Sequence, residues 1–141
     1  MHNIKIIILA LLLLLFSFSQ AIASDPVNDP NDTTIHDQCQ ERSDGSTTSL
    51  RECAANEINR LDRILNKSYK KIMNSSSLSK KDKEKIRAVQ RNWLQYRDQM
   101  MEVVEMYASE GTIGPLERAG AYTEILQTQT VLLWRLAESI E

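Results

Sequence analysis

The chain has 141 residues and a formal net charge of −2 at pH 7. This length fits a single domain. The small acidic excess argues against a nucleic-acid-binding protein, because such proteins normally present a basic face to the phosphate backbone.

The first 23 residues have the three-part plan of a secretory signal peptide. Lys5 precedes the apolar run 6–16, and the Ala-Ile-Ala sequence at 21–23 is a small-x-small cleavage signature. The apolar run has 11 residues, whereas a transmembrane anchor needs about 20. We therefore predict cleavage between Ala23 and Ser24. No cysteine lies at the cut site, so we expect an exported protein without a lipid or membrane anchor.

Residues 24–38 form the next segment, which contains four aspartates, two prolines, no lysine or arginine and almost nothing apolar. Such a segment does not bury enough surface to offset the entropy lost on ordering. We expect an acidic flexible linker, and the alternative is an acidic arm for a basic partner. The domain itself is expected to span residues 39–141.

Both cysteines, Cys39 and Cys53, lie in the exported part of the chain. An even cysteine count in an oxidising compartment predicts a disulfide, which would enclose 13 residues. The alternatives are two free thiols or half of a metal site. The metal site has weak support, because His36 is the one histidine left after cleavage.

The rest of the chain shows the three- and four-residue apolar spacing that is typical of amphipathic helices. The first helix is predicted to begin at Ser49, where the sequence SLRE fits a capping box, and to end in the polar run 74–77. The second helix opens at Ser79 and ends at Gly111, and the third spans about 116–139. These elements predict an all-α fold, an elongated antiparallel three-helix bundle with one disulfide near the start of the first helix.

The second predicted helix carries the most regular apolar stripe, and we expect this stripe to face the core. Its members are Ile86, Val89, Trp93, Tyr96, Met100, Val103 and Tyr107.

Catalytic and metal-binding arrangements are missing from the sequence of the predicted domain. His36 falls in the predicted linker, so no Ser-His-Asp or Cys-His arrangement can form on an ordered scaffold. The sequence also has no Glu-x-x-His pair of the kind that binds metals in helical bundles. We therefore expect a protein that is not an enzyme and that needs no cofactor or metal.

Two polar clusters lie beside the apolar stripes. The first cluster is Asp62, Asn66 and Tyr69, beside Leu65 of the apolar stripe. The second is the run 90–98, which contains Gln90, Trp93, Tyr96, Arg97 and Asp98. We expect Trp93 and Tyr96 to anchor the core. We also expect Arg97 or Gln90 to pair with the aspartate or asparagine of the first cluster across the bundle. The alternative is that the two clusters form a recognition patch.

Four short motifs follow one another along the chain. They are Cys39…Cys53-Ala54, Asp62-x-x-Leu65-Asn66-x-x-Tyr69, Gln90-x-x-Trp93-x-x-Tyr96-Arg97-Asp98 and Gly111-Thr112-Ile113-x-Pro115-Leu116. In this order the chain resembles the LprI-like lysozyme-inhibitor family of small exported bacterial proteins, from about residue 37 to the C-terminus. The resemblance implies a periplasmic protein that binds a C-type lysozyme or another muramidase and so protects the cell wall.

The chain departs from this family in two places. Family members often carry a second cysteine pair, and its positions are taken here by Met101 and a residue near Ala121. The last helix of the family usually has an arginine after a Leu-Thr pair, where this chain reads LQTQT at 126–130. The chain is thus a divergent member, and we expect packing alone to hold the turn between the second and third helices.

That turn is the candidate contact with a protein partner. Glu110, Gly111, Thr112 and Ile113 combine an acid with an apolar side chain at one end of the bundle. The plainer interpretation is an ordinary helix connection. The alternative function is a periplasmic structural, adaptor or immunity module that binds another envelope protein through a helix face.

Overall fold

The computed structural model describes residues 28–140, and this part of the chain contains four α-helices and no strand. The short helix α1 spans Thr34–Glu41. Three long helices follow, which are α2 (Thr47–Asn74), α3 (Lys80–Tyr107) and α4 (Gly114–Ser139). The predicted signal peptide and its cleavage site lie outside the described residues. None of the helices within 28–140 is both long and apolar enough to cross a bilayer.

Serine side chains cap the first two long helices. The α2 cap is Ser46, whose hydroxyl accepts a hydrogen bond from the Ser49 amide at 3.2 Å. The prediction that Ser49 is the cap was wrong, because its hydroxyl donates instead to Asp44 at 2.6 Å. Hydrogen bonds from Ser49 and Ser46 lower the pKa of the exposed Asp44 carboxyl to about 2. The predicted start of α3 is confirmed, since Ser79 accepts from the Asp82 amide at 3.2 Å.

Helices α2 and α4 run parallel and form the main contact of the fold. Near the middle of both helices, the Thr130 hydroxyl lies 3.5 Å from the Leu61 carbonyl oxygen. Further along both helices, Lys71 and Glu138 form an ion pair of 3.1 Å. The core lies along this contact. Its buried members are Leu61, Leu65, Ile72, Leu126, Leu133 and Ala137.

Helix α3 packs against α4 in the opposite direction. Gln129 donates a hydrogen bond to the Gln90 side chain at 2.8 Å, and near the other end of α3 Arg118 lies 3.4 Å from Glu105. The long helices therefore run up, down and up. The all-α class and the disulfide are confirmed. The predicted number of helices was too low, because the short helix α1 precedes the three long ones.

The apolar stripe of α3 is only partly buried, so the prediction that it faces the core is confirmed for some of its residues and wrong for the others. Ile86 and Trp93 pack against the core, but Val89 is 60% exposed and Tyr96 is 52% exposed. The backbone of α3 follows α4 and stays away from α2. Only a narrow arc of its surface therefore finds a partner, and Tyr96 lies outside that arc and does not anchor the core.

The described part of the predicted flexible linker is packed against the bundle. Pro30 is fully buried, and its carbonyl accepts a hydrogen bond from Gln127 of α4 at 3.1 Å. The carbonyls of Asp29 and Asp32 accept from Arg60 of α2 at 2.9 and 3.1 Å. The hydrogen-bond donors that hold this segment are side chains of α2 and α4. The composition of the segment alone therefore does not reveal that it is ordered.

Arg60 holds this segment from within a buried ion pair. Its guanidinium donates two hydrogen bonds of 2.7 and 2.8 Å to Glu57, and both side chains are 4% exposed. The hydrogen bonds to Glu57 raise the pKa of Arg60. The buried charges are therefore compensated by each other and by the carbonyls of the N-terminal segment.

The disulfide joins Cys39 of α1 to the buried Cys53 of α2. Together with the Arg60 contacts, it fixes α1 and the segment before it to the first half of α2.

Replacing Cys39 and Cys53 together by serine is expected to lower the free energy of unfolding by about 3 kcal/mol, because the bond restricts the unfolded chain. For a domain of this size the melting temperature should fall by about 10–20 °C. Thermal unfolding of the oxidised mature protein, followed by circular dichroism, measures the change. An unchanged melting temperature would show that the bond contributes nothing to stability.

The variant Arg60→Met is expected to cost about 3–5 kcal/mol of folding free energy, because the Glu57 carboxylate is left buried without its partner. Urea unfolding measures the loss. The double variant Glu57→Leu/Arg60→Met removes both charges and should recover part of the stability. A double variant that is less stable than Arg60→Met would contradict this account of the pair.

Candidate functional site

Apart from Tyr96 and Asp98, the residues named in the two polar clusters lie on opposite walls of one cleft between α2 and α3. The α2 wall consists of Asp62, Leu65, Asn66 and Tyr69, and the α3 wall of Arg87, Gln90, Arg91, Trp93, Leu94 and Arg97. We call this site the motif cleft. It has a volume of about 330 Å³. The cleft is open because α2 and α3 both pack on α4 while their own backbones stay apart.

Among the described residues no hydrogen bond joins the two walls of the motif cleft. Asn66 donates to the carbonyl and the carboxylate of Asp62 on its own helix, at 2.8 and 3.0 Å. Gln90 accepts from Gln129 of α4. The predicted pairing of Arg97 or Gln90 with the first cluster was therefore wrong, because these groups find closer partners on their own helix or on α4.

Arg97 lies across the aromatic part of the motif cleft. Its guanidinium carbon is 5.5 Å from the ring centre of Trp93 and 5.8 Å from that of Tyr122, within the range of cation–π attraction. It also donates hydrogen bonds of 2.6 and 2.8 Å to Asp98. Burial opposes the charge of Arg97, but the hydrogen bond to Asp98 and the neighbouring Tyr122 raise its pKa overall. The guanidinium thus stays charged and fixed beside Trp93.

Sequence reasoning missed Arg87 of the motif cleft, and it included Arg91 and Leu94 only as members of the run 90–98, with no role of their own. Their three- and four-residue spacing from one another places them along one side of α3, and this spacing could have revealed them. Tyr96 and Asp98, although predicted with the cluster, do not line the cleft. Asp98 acts on it through Arg97, and Tyr96 lies on a different side of α3.

The turn between α3 and α4 is the second candidate site, and it has a defined geometry. Gly111 has a φ of +80°, which favours glycine. A Cβ atom on Gly114 would lie 1.9 Å from the Ser109 carbonyl oxygen. The Glu117 carboxylate accepts hydrogen bonds from the Ser109 amide at 2.6 Å and hydroxyl at 3.0 Å. The expectation that packing alone holds this turn was therefore wrong.

The predicted contact residues are exposed on this turn. They are Glu110, Gly111, Thr112 and Ile113. The end of α3 adds apolar side chains at the same end of the bundle, where Met106 is 76% exposed and Tyr107 is 81% exposed. We call the group of Met106, Tyr107, Glu110 and Ile113 the turn patch. Contiguous exposed apolar surface is a feature that interaction sites often show.

The sequence profile described as "Lysozyme inhibitor LprI" matches residues 39–133, which is well over half of the chain. The chain belongs to the LprI lysozyme-inhibitor family. The LprI match begins at the first cysteine of the disulfide and includes the motif cleft and the turn patch. No curated protein and no solved structure matches the chain.

The described part of this LprI protein offers no ready metal site. Residues 28–140 contain no group of three or more His, Cys, Asp or Glu side chains that could hold a metal ion. His36 lies on α1 rather than in a flexible linker, and its ring is within 3.0 Å of the Gln40 side chain. What both candidate sites offer is non-covalent contact, by aromatic, charged and amide groups in the motif cleft and by apolar groups with one acid on the turn patch.

The variant Gly114→Ala is expected to destabilise the LprI domain by about 1–3 kcal/mol, because the added methyl group would overlap the Ser109 carbonyl and force the turn open. Gly120→Ala is the matched control on the same helix. Its added methyl group meets nothing within 4 Å, and it should be neutral or stabilising by up to about 1 kcal/mol. Urea unfolding compares the two, and equal effects would contradict the turn geometry.

Proposed function

We propose that this protein is a periplasmic, non-enzymatic inhibitor of lysozyme that protects the bacterial cell wall. Membership of the LprI family supports the proposal, since the family match includes both candidate sites. An inhibitor acts by occupying its target, so it needs a rigid and complementary surface rather than catalytic groups. The exposed turn patch is the single observation that indicates which surface would bind lysozyme.

The turn patch has the composition of a small protein–protein contact. Tyr107 and Ile113 offer apolar surface that loses water on binding, and aromatic residues are enriched at the centres of such interfaces. Glu110 adds a negative charge at the tip of the turn. A narrow turn at the end of a bundle fits the substrate cleft of a muramidase better than the side of a helix does.

The turn is also held in shape before any partner binds. The Glu117 carboxylate fixes Ser109 by two hydrogen bonds, and the close approach of Gly114 to Ser109 leaves little room for an alternative path. A surface that is ordered in advance loses less conformational entropy on binding. The predicted mature chain carries a net charge of about −3 once Lys5 is removed, which would speed association with a basic lysozyme.

A second function is favoured by the outer side of α3. Val89, Tyr96 and Val103 are exposed and repeat at seven-residue spacing, so they form an apolar strip along that helix. Such a strip is typical of a module that binds another envelope protein through a helix face. Leu132 of α4 is exposed as well, whereas its neighbours Val131 and Trp134 are half-buried.

The inhibitor proposal predicts that the purified mature protein slows cell-wall lysis by a C-type lysozyme in a turbidity assay. The double variant Glu110→Gln/Ile113→Ser should raise the half-inhibitory concentration by about tenfold or more, as expected for loss of about 1.4 kcal/mol at an interface. Its circular dichroism and melting temperature should remain close to those of the parent.

The matched control is Glu102→Gln/Val89→Ser, which changes the same types of exposed side chain on α3. It should inhibit like the parent protein. Inhibition that survives the turn variant but is lost in the α3 control would move the contact to the helix face. No inhibition by the parent protein at large molar excess would rule out the inhibitor function.

A further inference from the structure

We propose that the motif cleft binds a small anionic fragment of peptidoglycan, in which a carboxylate lies beside a sugar or a short peptide. The identity of the ligand rests on the proposed location at the cell wall. Binding of this ligand does not depend on lysozyme inhibition, because the motif cleft and the turn patch consist of different residues.

The size of the motif cleft points to a small ligand. Its volume of about 330 Å³ is at the lower end of the range for small-molecule sites. This volume suits one sugar ring with a substituent, or a dipeptide, better than the side of a folded protein. The opening between α2 and α3 leaves both walls accessible from solvent.

The floor of the cleft is apolar and aromatic. Leu65 is buried beneath it, and Trp93 and Tyr69 are half-buried along it. Leu94 extends this surface toward solvent and is partly exposed. A floor of this kind accommodates the C–H face of a sugar ring or an alkyl side chain, because such surfaces are released from water on binding.

The α2 wall presents hydrogen-bond acceptors to the cleft. The amide nitrogen of Asn66 already donates to Asp62, which leaves the amide oxygen of Asn66 available. The second carboxylate oxygen of Asp62 is available for the same reason, since only one of the two accepts from Asn66. This wall therefore selects a ligand with hydroxyl or N–H donors.

The α3 wall presents donors and positive charge. Arg91 is exposed and forms no ion pair with any described residue, whereas Arg87 is already paired with Glu84. The amide oxygen of Gln90 accepts from Gln129, so its amide nitrogen remains as a donor. Carboxylates and phosphates both match an arginine in charge and geometry, and the carboxylate is the one that muramyl units and stem peptides carry.

Taken together, the two walls favour a ligand with donors at one edge and an anionic group such as a carboxylate at the other, with an apolar body between them. Muramyl units of peptidoglycan have this pattern, because they join hydroxyl and amide N–H groups to a lactyl or peptide carboxylate. A neutral N-acetylated sugar has the donors but lacks the carboxylate. The carboxylate can come from the sugar acid or from the stem peptide, and the probes below distinguish these sources.

The test is a two-dimensional ¹⁵N NMR titration of the oxidised mature protein. The probes are N-acetylmuramic acid, N-acetylmuramyl-dipeptide, the free dipeptide and neutral diacetylchitobiose. The chain has two tryptophans, of which Trp93 lines the cleft and Trp134 does not. We expect saturable shifts of the Trp93 indole N–H with carboxylate-bearing probes, and an unmoved Trp134 resonance. Resonance shifts caused by N-acetylmuramic acid would assign the bound carboxylate to the sugar acid. Resonance shifts caused by the free dipeptide would assign it to the stem peptide.

The variant Arg91→Gln should weaken binding by about tenfold, as expected for loss of a charge-assisted hydrogen bond. The matched control Arg135→Gln, on the exposed side of α4, should bind like the parent. No Trp93 shift at about millimolar probe, equal shifts with diacetylchitobiose, or equal weakening by both variants would overturn the inference. If the parent protein inhibits lysozyme but binds none of the probes, this inference alone is overturned. If it binds the probes but does not inhibit lysozyme, the proposed function alone is overturned.

Discussion

Helix α4 organises the bundle because it packs against both other long helices. Its buried face meets α2 along the core through Leu126, Leu133 and Ala137. A neighbouring side meets α3, where Gln129 holds Gln90. Because α2 and α3 share this partner without closing on each other, a cleft remains between them. The same arrangement leaves the outer side of α3 exposed.

The sequence predicted the long helices well and their surroundings poorly. Apolar periodicity located all three, and the spacing of Ser79 and Asp82 identified the start of α3. Several serines precede α2, so local pattern could not choose between Ser46 and Ser49 as its cap. Apolar periodicity also shows which side of a helix is apolar, but it does not show how many neighbouring helices pack against that side. The stripe of α3 therefore looked like a core face, although Val89 and Tyr96 are exposed.

The N-terminal segment and the motif cleft depend on partners that are distant in the sequence. Pro30 is buried because Gln127 and Arg60 supply donors to the carbonyls around it, and neither residue is visible in the composition of the segment. In the same way, the sequence predicts that the two polar clusters belong together, but it leaves open whether they pair across the bundle or form a recognition patch. Their side chains face a shared space instead of pairing across it, which depends on the distance between two helix backbones.

The two proposed binding surfaces have separate tasks. The turn patch would contact the lysozyme, and the motif cleft would contact the wall that the enzyme attacks. An inhibitor of this kind binds the enzyme itself, and size-exclusion chromatography with light scattering detects such a complex. A mixture of the mature protein with a C-type lysozyme should elute as a one-to-one complex, which weakens as salt screens the opposite charges. Separate elution of the two proteins at low salt and micromolar concentration would contradict the account.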